Sequence, residues 1–266
     1  MKITHRQNLK NKNLIVFDLD GTLAPSKSTI DKEMNRLLER LLMQKNVAVI
    51  GGGKLELFKH QLLNRLKVPK DLLTKLFLFP VTATSFFRYN NGWKNIYTHN
   101  LTADQVDRIM SAFTKVFKEI DYKKPEKTYG ETIENRGSQI TWSALGQDVV
   151  KVLGDKGVEL KNKWRDKNTP LKLKIAKLLQ KYLPDLEVHA AGYTSIDITK
   201  KGIDKAYGLK QMEKFLKVKI KNMVFIGDAI FPGGNDYAIT KTPVDYFAIK
   251  DPEEAKKVIR KILKPA

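Results

Sequence analysis

Two short stretches put carboxylates where an apolar run ends. In NLIVFDLDGTLAPS, residues 13–26, the run delivers Asp18 and Asp20, Gly21 allows a sharp turn, and Thr22 adds a hydroxyl just beyond. In FIGDAIFPGGNDYAI, residues 225–239, a second run reaches Asp228, and a glycine-rich turn carries the chain on to Asn235 and Asp236. Successive strand residues alternate faces, so Asp18 and Asp20 point the same way. Carboxylates held this close repel, and one pKa rises unless a cation sits between them. If both runs belong to one parallel sheet, their carboxyl ends share an edge, where open α/β sheets place ligands. Oxygen donors from separate strands suit Mg2+, which keeps several waters and lets phosphate oxygens complete its octahedron. The chemistry these residues point to is metal-assisted handling of phosphate. A turn or helix cap would account for Asp18 and Asp20 alone, but not for the second acidic strand end beside a glycine loop.

The elements that must position these groups are legible as hydrophobic periods. LIVF (14–17), NVAVI (46–50) and LFLF (76–79) read as buried strands. Between them, residues 31–45 place Met34, Leu37, Leu38, Leu41 and Leu42 on one helical face, and residues 55–67 read as a further helix. Short apolar strands separated by amphipathic helices predict a parallel sheet covered on both faces. The middle of the chain differs. Asn90-Asn91-Gly92 predicts a hairpin turn between FFRY and WKNIY. Thr102 and Gln105 form a capping-box pattern, and Thr169-Pro170 predicts a second helix start. From residue 186 the first rhythm returns, with DKAYGLKQMEKFLK and PEEAKKVIRKIL as helices and MVFI and DYFAI as strands. The expected fold is α/β: a Rossmann-like parallel-sheet core from residues 1–87 and 186–266, with an inserted α+β cap at 88–185.

Bulk composition narrows the partners. The chain has 266 residues with 49 Lys and Arg against 29 Asp and Glu, a formal net charge of +20. Such a field draws anions, from nucleic acids to small phosphorylated substrates. The lysines are dispersed among acids, as in KEIDYKKPEK, which reads as a solvated surface. No RNA-binding aromatic signature, zinc-finger spacing or long basic helix is present, which argues against a nucleic-acid partner. The absence of cysteine excludes disulfides, thiolate metal sites and cysteine nucleophiles. The N-terminus has no apolar h-region and no run approaches the ~20 residues of a membrane span, so the expectation is a soluble, cytoplasmic protein without membrane contact. His5, His60, His99 and His189 have no ligand spacing, and Trp93, Trp142 and Trp164 fall within the expected cap, as packing residues. GGGK at 51–54 lacks the spacing of a nucleotide-binding P-loop.

Asp18-Leu19-Asp20-Gly21-Thr22 resembles the first motif, D-x-D-x-T, of the haloacid dehalogenase superfamily of phosphotransferases. Lys205 in KKGIDKAYGL is similar to the third-motif lysine, GDAIFPGGND to the fourth, acidic motif, and the insertion lies where that superfamily carries its type IIB cap. Within it, the chain resembles the eukaryotic-type phosphomannomutase branch. GYTSIDIT (192–199) is similar to the cap-to-core stretch with substrate-binding Ser195 and Asp197, IENRGSQITWSALGQ (133–147) to the arginine-bearing cap segment, and VIGGGKLELFKHQL (49–62) to the second-motif region, with Gly52, Gly53 and Gln61. Of the three cap arginines of that branch only Arg136 is present; Tyr129 and Gln147 stand at the other two positions, and Gly53 stands where the second-motif serine would be.

The resemblance implies a nucleophile, Asp18, an acid/base, Asp20, and a charge-neutralising Lys205. It implies substrate contacts from Thr22, Gly52, Gly53, Arg136, Ser195 and Asp197, and Mg2+ held among Asp18, Asp20, Asp228, Asn235 and Asp236. The implied reaction is phosphoryl transfer on a hexose phosphate through an aspartyl-phosphate. A sugar acceptor makes it a mutase needing a hexose bisphosphate activator; water makes it a sugar-phosphate phosphatase. A basic nucleic-acid binder on a retired enzyme fold is the third and least favoured reading, since Asp18 is retained. A homodimer through the cap is a further implication.

Overall fold

A computed structural model describes residues 2–4, 9–26 and 28–263; His5 lies outside them. In chain order the strands are β1 (Lys2–Thr4), β2 (Leu14–Asp18), β3 (Asn46–Ile50), β4 (Leu76–Phe79), β5 (Ser85–Tyr89) and β6 (Trp93–Thr98). They continue with β7 (Ile133–Asn135), β8 (Gln139–Ser143), β9 (Leu186–Ala191), β10 (Ser195–Lys200), β11 (Met223–Gly227) and β12 (Asp245–Ala248). The main helices are α1 (Lys32–Gln44), α2 (Ala103–Glu119), α3 (Asp155–Tyr182), α4 (Lys205–Leu216) and α5 (Pro252–Leu263).

The larger unit comprises residues 1–98 and 204–266. Its sheet runs β1-β12-β11-β2-β3-β4-β5-β6. The five strands from β12 to β4 pair in parallel, and antiparallel strands close both edges. Every residue of β2 and β11 is buried, because their alternate side chains enter two different cores. Ile15, Phe17, Val47 and Val49 pack with α1 and α5 on one face. Leu14, Val16, Ala48 and Ile50 pack with Leu209 and Met212 of α4 on the other. Helix α1 buries Met34, Leu37, Leu38, Leu41 and Leu42, the stripe expected from the sequence, and starts where Asp31 accepts the Met34 N–H at 2.8 Å. At residues 55–67 the structure has a helical turn, Leu55–Phe58, followed by a π-helical turn, Lys59–Leu63, rather than one regular helix.

The smaller unit is residues 99–203. Its antiparallel sheet runs β7-β8-β10-β9. Ile140, Trp142, Ile196 and Ile198 project from one face into a core with α2 and α3. The residues between them, Gln139, Thr141, Ser143, Ser195, Asp197 and Thr199, share the opposite face. Thr102 and Gln105 make the capping box that opens α2.

The boundaries thus differ from the sequence expectation of 88 and 185. The hairpin at Asn90–Gly92 forms, but β5 pairs with β4, so β5, β6 and Trp93 extend the larger sheet. EVHA (187–190) and YTSIDI (193–198) read as strands of the core that returns at residue 186, yet as β9 and β10 both pair within the smaller sheet. Hydrophobic period reports that a segment is a strand and not which sheet receives it. The helix expected from Thr169 begins instead at Asp155 and carries Pro170 inside it. Thr169 Oγ1 donates to Arg165 O (2.7 Å) and Asn168 Nδ2 to Trp164 O (3.0 Å), side-chain bonds in the turn just before the proline, which itself offers no N–H. Among the described residues no helix is long and apolar enough to cross a membrane.

Candidate active site

Register brings the acidic residues together. Phe17 of β2 lies opposite Ile226 of β11, so the chain leaves β11 through Gly227 and Asp228 at the level where β2 ends in Asp18. On the other side Asp18 is opposite Ile50, and the loop Gly51–Lys54 follows at the same edge. Helix α4 starts beneath the strand ends. Asp204 caps it by accepting the Tyr207 N–H at 2.8 Å, and Lys205 is its first residue.

Lys205 is 2% exposed, and its ammonium donates to both Asp18 Oδ1 and Asp236 Oδ1. Placing a cation at a helix N-terminus is unfavourable by roughly 0.3–1 kcal/mol, so the two carboxylates must more than offset it. The other oxygen of Asp236, Oδ2, accepts the Ala229 N–H at 3.1 Å. Asp236 therefore brackets the lysine and the start of the loop after β11. Carboxylate oxygens of Asp18, Asp228 and Asp236 lie within 4.8 Å of one another. Thr22, fully buried, donates its hydroxyl to Asp228 Oδ1 at 3.3 Å. Gly21 has φ +85°, and a Cβ there would stand 2.5 Å from Asp228 Oδ2; only glycine makes both the turn and the approach. At Gly227 a Cβ would meet Asp236 Oδ2 at 2.4 Å.

The electrostatics follow from burial. Burial pushes the Asp18 carboxyl well above the usual carboxylate range, and the negative charges of Asp236 and Asp228 push it further against the pull of Lys205. Burial and Asp236 raise Asp228 to about 6. Burial disfavours the Lys205 ammonium, yet Asp18 and Asp236 outweigh it and hold the group charged. With all three carboxyls ionised against one ammonium the site would carry a deficit of two positive charges, which is why Asp18 and Asp228 are pushed toward the neutral form unless a further cation joins them. An all-oxygen donor set with that deficit fits Mg2+, and Asp18 and Asp228 are the side chains with oxygen available to it.

Asp20, half-buried, is held from the side: Gln61 Nε2 donates to Asp20 Oδ1 and to Ser28 O, both at 3.0 Å. Gln61 is fully buried, and among the described residues its Oε1 has no hydrogen-bond partner. The sequence signal for Gln61 is a polar side chain inside the apolar stripe of KHQLLNRL. The Gly51–Gly53 loop is pinned from behind, Val81 N–H donating to Gly53 O (3.0 Å) and Thr82 N–H to Gly51 O (2.9 Å). Gly52 is half-buried, and a Cβ at Gly53 would overlap Leu57 Cδ2 at 2.3 Å. Asn235 is half-buried beside Asp236.

The family model of the haloacid dehalogenase-like hydrolases matches residues 15–242, spanning both acidic strand ends. The chain belongs to this family. It is 28% identical to a phosphomannomutase of Encephalitozoon cuniculi over 264 residues, 95% of this chain and 94% of that protein. It is 27% identical to a phosphomannomutase of Saccharomyces cerevisiae over 235 residues, 86% of this chain and 85% of that one. In fold it is similar to an IMP-nucleotidase of Plasmodium falciparum, with TM-score 0.70 and 17% identity over 95% of this chain and 68% of that chain. A trehalose-6-phosphate phosphatase of Aspergillus fumigatus gives TM-score 0.53 and 15% identity, covering 96% of each.

In this haloacid dehalogenase-like hydrolase the remaining expected site residues lie in the smaller unit. Arg136 Nε donates to Glu134 Oε2 at 2.8 Å and its NH2 group to Gln147 Oε1 at 3.1 Å. Asp197 Oδ1 accepts from Thr141 Oγ1 at 2.8 Å, and Thr141 Oγ1 accepts from Gln139 Nε2 at 2.9 Å. Ser195 opens β10, opposite Ser143. Sequence reading did not single out Glu134, whose importance appears only through its pairing with Arg136.

Proposed function

We propose that this protein is a Mg2+-dependent phosphotransferase that takes the phosphoryl group of a hexose phosphate onto Asp18. The observation that carries the reading is the buried Asp18–Lys205–Asp236 bridge beside Asp228, an arrangement that holds a carboxylate and a cation at one strand edge. Asp18 attacks phosphorus in line, the ester oxygen leaves, and an aspartyl-phosphate forms, splitting one displacement into two easier ones. Asp20, steadied by Gln61, protonates the departing oxygen and then takes the proton of the next nucleophile. Lys205 stays charged and offsets negative charge on the transferring group. The N–H groups of the Gly52–Gly53 loop and Thr22 complete the phosphate side, while Arg136, Ser195 and Asp197 contact the sugar. Mg2+, held by Asp18, Asp228 and the Asp20 carbonyl with Asn235 and Asp236 in support, would spread the charge of the phosphoryl oxygens.

Two acceptors are compatible with this half-reaction. Similarity along nearly the whole chain to phosphomannomutases supports a sugar hydroxyl, hence interconversion of hexose 1- and 6-phosphates with a bisphosphate activator. The engagement of Arg136 by Glu134 supports water, hence a phosphatase. Incubation with Mg2+ and mannose 1-phosphate separates them: mannose 6-phosphate marks the mutase, and steady release of inorganic phosphate marks the phosphatase. Asp18→Asn is expected to lower turnover by at least about 1000-fold while the protein stays folded by circular dichroism. Full activity in that variant would remove Asp18 from the mechanism.

A further inference from the structure

Just past the end of β4 the larger unit makes a left-handed turn with no glycine in it. Val81, Thr82 and Ala83 follow one another at φ 51°, 54° and 61°. Such conformations are costly for L residues and persist only where their surroundings over-determine them. The Val81 and Thr82 N–H groups donate to Gly53 O at 3.0 Å and to Gly51 O at 2.9 Å. Thr84 donates its N–H (3.1 Å) and its hydroxyl (2.6 Å) to Val81 O. The Tyr97 hydroxyl of β6 donates to Ala83 O at 3.0 Å, and burial pushes its pKa up, so it stays a donor. Helix α4, which starts at Lys205, closes on the turn from behind. A Cβ on its Gly208 would stand 3.2 Å from Ala83 Cβ and 2.5 Å from Ile50 Cδ1.

These bonds fix a direction. In the sheet β3 lies between β2 and β4. Gly51, the residue after β3, donates its N–H to Phe79 O at 3.3 Å and accepts the Thr82 N–H, so both of its polar groups face the β4 side. The Gly53 carbonyl faces the same side through Val81. In a planar trans peptide the N–H points opposite to the C=O it is joined to. The N–H groups of Gly52 and Lys54 therefore face the β2 side, where Asp18 ends its strand opposite Ile50. Gly51, Gly52 and Gly53 carry no side-chain donor, so their stretch of the loop can meet an anion beside Asp18 only through backbone N–H groups.

We propose that Val81, Thr82 and Ala83 are positioning residues: their left-handed turn holds the glycine loop so that the Gly52 and Lys54 N–H groups are aimed at the phosphoryl oxygens carried by Asp18. The three residues touch no substrate and act through the carbonyls of Gly51 and Gly53. The proposal rests on the phosphoryl-transfer reading of Asp18 and adds what keeps the loop in place. Donors fixed in advance need no reorganisation as charge develops on the transferring group. The backbone strain of the turn is offset by the bonds that hold it, and its return is a loop that cannot rotate its peptides away.

The test uses the full chain with Mg2+, p-nitrophenyl phosphate as substrate and orthovanadate as inhibitor; neither probe carries a sugar. Thr82→Pro removes one N–H and forces φ to about −65°, and should raise the inhibition constant of vanadate by at least about tenfold. Thr82→Asn keeps the N–H and tolerates the left-handed region, so it should match the parent. Lys256→Met breaks ion pairs to Asp31 and Glu253 away from the site, and should lower Tm without changing vanadate inhibition. That contrast separates positioning from loss of stability. Parent-like inhibition in Thr82→Pro, or an equal weakening in Thr82→Asn or Lys256→Met, overturns the proposal and leaves Asp18 chemistry intact. If Thr82→Pro does not fold, Tyr97→Phe, which loses only the hydroxyl, decides: inhibition about threefold weaker is expected, and an unchanged constant overturns the proposal. No Asp18-dependent turnover of p-nitrophenyl phosphate in the parent overturns the phosphoryl-transfer reading and this proposal with it.

Discussion

Lys205 concentrates the residue-scale energetics of the site. It is buried and ties Asp18 of β2 to Asp236 of the loop after β11, segments far apart in sequence. Removing the cation would leave two buried carboxylates facing each other, and breaking a buried pair in this way costs about 3–5 kcal/mol. Lys205→Met should therefore lower the unfolding free energy by that amount in a urea titration; a loss below about 1 kcal/mol would mean that another cation or water compensates the acids. Asp18→Asn removes one charge from an acid-rich cluster and leaves Lys205 paired with Asp236, so a far smaller stability change accompanies its loss of turnover. The motif DLDGT reveals Asp18 and Asp20 at this scale. It does not reveal that Asp236 serves chiefly to hold Lys205, because both oxygens acquire partners only when the loop folds back over Ala229.

At the scale of elements, the segment Val81–Ala83 carries a device that pattern reading misses. All three residues have positive φ, 51°, 54° and 61°, a left-handed turn built without glycine. The conformation costs roughly 1–2 kcal/mol per residue, and it survives because the N–H groups of Val81 and Thr82 are bonded to the Gly51–Gly53 loop. Thr82→Asn, which tolerates this region better, should stabilise the protein by about 0.5–1 kcal/mol, read as a small rise in Tm. An unchanged or lower Tm would show that Thr82's own side-chain interaction outweighs the strain. Helix α1 was fully legible because its burial stripe and its cap are local properties. The start of α3 was not, since Pro170 is an N1 signal in isolation and an interior proline in a helix already running from Asp155.

At the scale of the whole molecule, the net charge of +20 favours anionic ligands, while three acids, Asp18, Asp228 and Asp236, are gathered at one buried edge. Binding of Mg2+ to the folded state alone should stabilise it by about 2.7 kcal/mol at a hundred times its Kd. Thermal melts with and without Mg2+ should show that shift in the parent and lose most of it in Asp228→Asn. Equal shifts in both would place the ion elsewhere.

The sequence by itself determined the α/β class, the strand-end carboxylates and most helix faces, because periodicity, caps and motif spacing are written in consecutive residues. Tertiary structure alone decided that β9 and β10 complete the smaller sheet, that Lys205 lies between Asp18 and Asp236, and that Glu134 occupies the charge of Arg136. Those outcomes depend on which strands exchange hydrogen bonds and on which buried charges find partners. Both are settled by packing between distant segments, which no local pattern encodes.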